Sequence, residues 1–254
     1  MESISDVKSL QSYSNECKRL ELRVALVPTM GNLHAGHLSL LQRAKEIADK
    51  TIVSIFVNPI QFGLGEDYQT YPSTLEEDMV KLDRAGVDLV FMPDLKELYP
   101  GGIADDTRIS VPEISDILCG QFRTGHFSGV ATVVAKLLIN SQPNFALFGE
   151  KDFQQILVIR RMVVDLLLPV EIVAMPTLRE EDGLAMSSRN RYLDKNQRNI
   201  SSVIYETLLK SAQRLKDETR SIEEVEIEGV ELLKKSDMKV EYFSVRRQED
   251  LLPA

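Results

Sequence analysis

Short apolar runs alternate with amphipathic stretches through the first two thirds of the chain. Residues 23–27 form an apolar run that stops at Pro28, and residues 38–50 carry Leu38, Leu41, Ala44, Ile47 and Ala48 at helical spacing. A second apolar run at 51–57 closes the unit, and two strands joined by one helix in so few residues imply a right-handed parallel crossover. The alternation goes on to predict a helix over 74–85, a strand over 88–91, a helix over 127–139, a strand over 145–148, a helix over 152–167 and a strand over 170–174. Five parallel strands with covering helices predict an α/β fold with a Rossmann-like, doubly wound parallel sheet.

The texture changes after Pro176. Residues 196–216 read as one long amphipathic helix, 221–235 as a second with an acidic outer face, and 239–245 as a lone strand. This pattern divides the chain into a catalytic-sized domain, 1–176, and a smaller α+β domain, 177–254, placed to act as a lid. One strand without a sheet to join makes the second domain look shortened.

Composition narrows the class. At 254 residues and 43% hydrophobic the chain can bury a core, which excludes disorder as its main state. Its net charge of −9 argues against coating a nucleic acid, whose phosphates call for a basic face. The most apolar region, 162–175, is cut by Asp165, Pro169 and Glu171, well short of the roughly 18 apolar residues that a membrane span needs. The first residues, Met1-Glu2-Ser3-Ile4-Ser5-Asp6, show no secretory pattern, and Cys17 and Cys119 stand outside any Cys-x-x-Cys spacing. A cytoplasmic protein with two free thiols is expected.

Candidate chemistry gathers where predicted strands end, the place at which open α/β sheets bind ligands. After the first strand comes Pro28-Thr29-Met30-Gly31-Asn32-Leu33-His34-Ala35-Gly36-His37. His34 and His37 are two of only three histidines, and at a helix start they join free N–H groups and a positive dipole end in a cradle for phosphate. The plainer reading is that they cap the helix. No third ligand of suitable type lies near them in sequence, so no protein metal site is assigned. After the second strand come Asn58, Pro59, Gln61 and Phe62, where a glutamine amide offers both a donor and an acceptor to a hydroxy acid. Gly149-Glu150-Lys151-Asp152 precedes another helix, which begins with Gln154 and Gln155. There Lys151 can neutralise phosphate, and Asp152 can cap the helix, hold a metal-bound water or bind a ribose hydroxyl. Met186-Ser187-Ser188-Arg189 forms a donor-rich run near the domain junction, and Arg123 and His126 precede a further helix, either as site residues or as caps.

The order of these segments resembles the nucleotidyltransferase superfamily that includes class I aminoacyl-tRNA synthetases. Within it the chain is most similar to the pantothenate synthetase (pantoate–β-alanine ligase) family. That family's segments Pro-Thr-Met-Gly-x-Leu-His-x-Gly-His, Asn-Pro-x-Gln-Phe, Arg-x-Gly-His-Phe-x-Gly-Val, Gly-x-Lys-Asp-x-Gln-Gln and Ser-Ser-Arg-Asn all occur here in order. The resemblance implies ATP-dependent condensation of (R)-pantoate with β-alanine to pantothenate, AMP and pyrophosphate through a pantoyl adenylate, with Mg²⁺ accompanying ATP, in a homodimer. It implies that Met30, Gly31, Asn32, Leu33, His34, Ala35, Gly36 and His37 bind ATP, with Ala35 at a variable position that carries no role of its own. Gly149, Glu150, Lys151, Asp152, Leu178 (through its backbone), Met186, Ser187, Ser188 and Arg189 would also contact the nucleotide. His37, His34, Lys151 and Arg189 would be catalytic, and Gln61, Gln155, Asn58 and Arg123 would hold the substrate.

Adenylation asks little covalent chemistry of a protein, because a carboxylate is already a nucleophile. The demand is alignment and stabilisation of the departing pyrophosphate. Lys151, Arg189, Mg²⁺ and the two histidines are expected to supply a positive field for it. Two alternatives stand beside this reading. Another adenylyl- or cytidylyltransferase of the superfamily would leave Asn58, Gln61, Phe62, Gln154 and Gln155 unexplained. A non-catalytic nucleotide binder should have lost a charged phosphate contact.

Overall fold

The computed structural model describes residues 1–63 and 65–254. Among them six strands form one parallel sheet: β1 (Glu2–Ile4), β2 (Val24–Thr29), β3 (Lys50–Ile55), β4 (Leu89–Phe91), β5 (Phe145–Gly149) and β6 (Glu171–Met175). Their spatial order is β1-β4-β3-β2-β5-β6. Helices α1 (Val7–Arg19), α2 (Ala35–Ile47), α3 (Leu75–Arg84), α4 (Leu95–Leu98), α5 (Cys119–Phe122), α6 (His126–Ser141) and α7 (Phe153–Asp165) connect them.

Alternate strand residues point to opposite faces, and here both faces are apolar. Val24, Leu26, Ile52, Leu89, Phe91, Ala146 and Phe148 pack with buried residues of α1, α6 and α7. Ala25, Val27, Val53, Val90 and Leu147 pack on the other side with Leu40, Leu41 and Ala44 of α2 and Leu82 of α3. Both faces are therefore covered, as a doubly wound sheet requires. The strands after β2 run outward on one side to β3 and β4, then β5 returns to pair with the other edge of β2. The strand order therefore switches between β2 and β5, and it is outside the carboxyl ends of the strands at such a switch that open α/β sheets offer a binding crevice.

The structure departs from the sequence expectation in four places. The sheet has a sixth strand, β1, whose three residues are too few to show a period; it pairs Glu2 with Leu89 and continues into α1, capped by Asp6, which accepts from the Ser9 N–H at 2.8 Å. Pro28 does not end β2, which runs on to Thr29. The ladder to β5 involves only Ala25 and Leu26, so the missing N–H falls where β3 is the sole neighbour.

The other two differences lie in the second of the two compact units, Met1–Pro176 and Thr177–Ala254. Residues 196–216 are two helices, α8 (Lys195–Ile200) and α9 (Val203–Lys216), followed by α10 (Ile222–Lys235). The break falls where the Ser201 hydroxyl donates to the Arg198 carbonyl at 2.7 Å and competes with the helical ladder. Residues 239–245 form no strand. Val245 N–H donates instead to Glu226 Oε1 at 2.7 Å, Phe243 lies over Gly229 of α10 where a Cβ would collide with the ring, and only isolated bridges occur, Arg179 with Ala185 and Arg246 with Pro253. The described part of this unit is helical rather than α+β.

Candidate active site

The turn from β2 into α2 lies at the switch point. Gly31 and Asn32 both have left-handed backbones, φ +81° and +51°, which glycine adopts freely and asparagine tolerates. The turn delivers His34 to the N-cap of α2, where His34 Nδ1 accepts from the Gly36 N–H at 3.1 Å and His37 Nδ1 accepts from the His34 N–H at 3.3 Å. A nitrogen that accepts carries no proton, so each neutral ring holds its proton on Nε2. The rings lie 4.1 Å apart between centroids. The capping and the functional readings therefore coexist: Nδ1 caps, and Nε2–H makes no hydrogen bond among the described residues.

Electrostatics corrects one expectation. Burial, then His34, Lys151 and Lys81, push the His37 pKa down to about 3, and burial with Lys151 and Lys81 lowers that of His34. The pair is neutral at physiological pH and adds no positive charge. It supplies N–H donors, while Lys151 supplies the cation whose field both rings feel.

The turn is held from outside. Asp78 of α3 is 1% exposed and accepts from the Asn32 N–H at 2.6 Å, the Leu33 N–H at 2.8 Å and the Thr74 hydroxyl at 3.1 Å, while Lys81 Nζ donates to the Leu33 carbonyl at 2.8 Å. Sequence reading passed over Asp78. The available signal was a carboxylate four residues before Leu82, on the buried stripe of α3.

Beyond β3, a 3-10 turn at Pro59–Gln61 presents Gln61. Gln61 Nε2 donates to Met30 Sδ at 3.3 Å, so the two strand-end segments touch. Asn58 is 1% exposed and its amide is spent internally: Nδ2 donates to the Gly129 carbonyl at 3.1 Å and Gln61 Oε1 at 3.3 Å, and Oδ1 accepts from Tyr99 Oη at 2.8 Å. Asn58, one of the residues expected to hold the substrate, braces Gln61 through these bonds. Arg123, likewise expected at the substrate, places Nε and Nη2 on the two Glu66 carboxylate oxygens at 2.8 and 2.6 Å.

After β5, Gly149 has only open space where a Cβ would stand, leaving room for a ligand to approach. Glu150, Lys151 and Asp152 follow, exposed, in a 3-10 turn. Asp152 makes no cap bond to α7, and its carboxylate accepts from Lys151 Nζ at 3.1 Å. Gln154 and Gln155, adjacent in sequence, part company. Gln154 is buried and ties down the 114–119 segment through the Ile114 and Ile117 carbonyls and the Cys119 N–H, whereas the half-buried Gln155 amide makes no hydrogen bond among the described residues. The first unit thus gathers Met30, His34, His37, Gln61, Lys151 and Gln155 around the carboxyl ends of β2, β3 and β5.

Leu178, Met186, Ser187, Ser188 and Arg189 belong to the second unit. Met186 N–H donates to the Leu178 carbonyl at 3.0 Å at the base of a tight hairpin, Ser187 Oγ accepts from the Arg189 N–H at 3.2 Å, and Ser188 is buried. Nowhere among the described residues do three His, Cys, Asp or Glu side chains converge as metal ligands.

Fold and site together define a doubly wound α/β protein with a polar ligand site at its switch point. The family model for pantoate-beta-alanine ligase matches residues 2–254. A pantothenate synthetase of Pseudomonas fluorescens (strain SBW25) is 45% identical over 254 residues, covering 100% of this chain and 90% of the relative. One from Nitrosococcus oceani is 48% identical over 251 residues, covering 99% and 88%. Among solved structures, pantothenate synthetase from Thermus thermophilus superposes with a TM-score of 0.92 at 44% identity, covering 100% of this chain and 90% of that one. Pantoate-beta-alanine ligase from Francisella tularensis, complexed with beta-gamma ATP and beta-alanine, gives a TM-score of 0.80 at 40% identity, covering 91% and 86%. The chain belongs to the pantoate-beta-alanine ligase family.

Proposed function

We propose that the crevice between β2 and β5 condenses (R)-pantoate with β-alanine at the expense of ATP, forming pantothenate, AMP and pyrophosphate through a pantoyl adenylate. The observation that carries this placement is the division of labour in His34 and His37, whose Nδ1 atoms hold the helix while their Nε2–H groups stay available beside Lys151. Neutral N–H donors, one lysine and a helix N-terminus make a site for a triphosphate in an otherwise acidic protein.

The pantoate carboxylate attacks the α-phosphorus and pyrophosphate leaves. The β-alanine amine then attacks the acyl carbon and AMP leaves. Gln61 and Gln155 are assigned to pantoate, since an amide can donate to its carboxylate and pair with its hydroxyl groups. The imidazole N–H groups and Lys151 are assigned to the phosphates, where charge grows as the bond to pyrophosphate breaks. Met186, Ser187, Ser188 and Arg189 of the second unit are assigned to the nucleotide on the family resemblance, and a lid that excludes water would protect the labile anhydride.

Magnesium is written with the nucleotide as MgATP, because Mg²⁺ is usually held by substrate phosphates with one or two carboxylates rather than by a protein cage. Asp152 is the exposed carboxylate beside Lys151 that fits such a role. The ion would offset phosphate charge. A cytoplasmic setting is supported by the unpaired Cys17 and Cys119, and no described helix is long and apolar enough to cross a membrane. A homodimer is proposed from the family resemblance, and sedimentation equilibrium tests it.

The deciding experiment incubates the protein with MgATP and each acceptor separately, then both. Pyrophosphate released with pantoate alone, and free AMP only with pantoate and β-alanine together, is the expected result. AMP formation indifferent to pantoate would overturn the assignment.

A further inference from the structure

Packing anchors the turn that carries the histidines at Leu33, which is buried in the core with Leu40 and Leu41 of α2 and Leu82 of α3. A cavity of about 180 Å³ adjoins it, lined among others by Met30, Gly31, Asn32, Thr74, Asp78 and Met92. Gly31 and Asn32, two successive left-handed residues beside that space, leave the backbone direction there to polar ties, and most of the ties to residues 31–33 come from α3. Asp78 takes two consecutive backbone N–H groups, and Lys81 takes the carbonyl of the second residue. Two adjacent N–H groups aimed at one buried carboxylate fix the backbone direction far more tightly than either alone, since charge-assisted hydrogen bonds are roughly twice as strong as neutral ones.

We infer that Asp78 is the positioning residue of the His34/His37 pair, a carboxylate on α3 that keeps the β2–α2 turn in the conformation in which both Nδ1 atoms cap α2 and both Nε2–H groups stay unspent. Asp78 touches no reacting atom and acts through the turn. Its importance to the reaction rests on the assignment of the histidines to the phosphates, and the test separates the two claims.

Asp78→Asn keeps the size but presents an amide N–H to one of the backbone N–H groups, so one tie becomes a repulsion. The chain has three histidines, so imidazole titrations by NMR are readily followed. Removing a negative charge alone would lower the histidine pKa values. Releasing the turn would hydrate the rings and raise them, from about 3 toward 6.5 for His37. The expected result is a rise for His34 and His37, together with a more than ~10-fold fall in the kcat of pantoate-dependent pyrophosphate release and a pantoate KM within about twofold. Should Asp78→Asn fail to fold, Thr74→Val removes one donor to the same carboxylate and is expected to give the same changes in smaller measure, restored by Thr74→Ser. Histidine titrations that stay in place or move down in the folded variants overturn the proposal. Titrations that rise while pyrophosphate release is unaltered uphold the positioning role and overturn the assignment of the histidines to the phosphates.

Discussion

Arg123 Nη1 lies 3.0 Å from His126 Nε2 while the same guanidinium grips both oxygens of Glu66. The other ring nitrogen, Nδ1, is 2.7 Å from the Gln61 carbonyl oxygen. An arginine can only donate and a carbonyl can only accept, so His126 is neutral with its proton on Nδ1, in keeping with the lowered pKa that its burial produces. Glu66, Arg123 and His126 thus form a chain that ends on the backbone of a residue assigned to pantoate.

This arrangement separates support from contact. Glu66→Gln and Arg123→Met are expected to raise the pantoate KM by similar factors, on the order of 3- to 10-fold, because each breaks the same charge-assisted link. The ATP KM should stay put. Steady-state kinetics of both variants decide the matter: an Arg123 effect far exceeding that of Glu66 would mean that Arg123 meets pantoate directly. Gln61→Ala should weaken pantoate binding and leave nucleotide affinity intact, and equal loss of both would mark it as structural.

Placed donors and charge at a departing pyrophosphate contribute at least ~10-fold to rate, and commonly more. His37→Ala and Lys151→Ala are each expected to lower pantoate-dependent pyrophosphate release by well over ~10-fold, with the fold kept. Lys151 is exposed enough for truncation to leave no cavity, so its loss of activity should come without loss of thermal stability. Near wild-type release in either variant would remove that residue from the phosphate site.

The sheet was legible because its strands are buried on both faces and read as unbroken apolar runs, and five of the six follow from that pattern. The sixth, β1, is three residues of mixed polarity and owes its existence to the edge of β4. The second unit was less legible. Residues 239–245 have strand composition, but a strand is defined by a neighbour, and there Glu226 and Gly229 of α10 take up the backbone and the aromatic ring instead. In the site, motifs located the segments without assigning their atoms. Gln154 and Gln155 look alike in sequence, yet helical rotation buries one and leaves the other available. Asn58 and Gln61 lie in one motif, and only packing against Tyr99 and Gly129 tells the holder from the held. Asp78 stayed hidden because a carboxylate in the first turn of a helix ordinarily signals nothing beyond the dipole.

The histidines also set the acid limit of stability. The His37 pKa is about 3 in the folded chain against 6.5 in the reference state, and those of His34 and His126 are lowered as well. Between those values the unfolded chain binds more protons than the folded one, so stability is full above about pH 6.5 and falls as the pH drops toward 3. Urea midpoints at pH 7.5, 6, 5 and 4 are expected to decline over this range, and His37→Gln, which keeps a polar side chain but cannot titrate, should decline less. Parallel profiles for the two proteins would show that His37 is not held neutral.

Gly129 offers a test in which two physical effects oppose each other. It lies inside α6, where replacing glycine with alanine ordinarily stabilises by roughly 1 kcal/mol through helix propensity. A Cβ at this position, however, would fall 2.7 Å from the Gln61 nitrogen, 2.8 Å from its Cα and 2.8 Å from the Ile60 carbonyl carbon. These are backbone atoms of the turn that presents Gln61, and they cannot rotate aside as a side-chain tip could. Overpacking of this kind costs about 1–3 kcal/mol, so the clash outweighs the propensity gain. Gly129→Ala is therefore expected to lower the melting temperature and, by pushing the Pro59–Gln61 turn off α6, to raise the pantoate KM more than the ATP KM. A variant that melts higher with both constants unchanged would show that the contact between α6 and this turn does not govern how Gln61 is held.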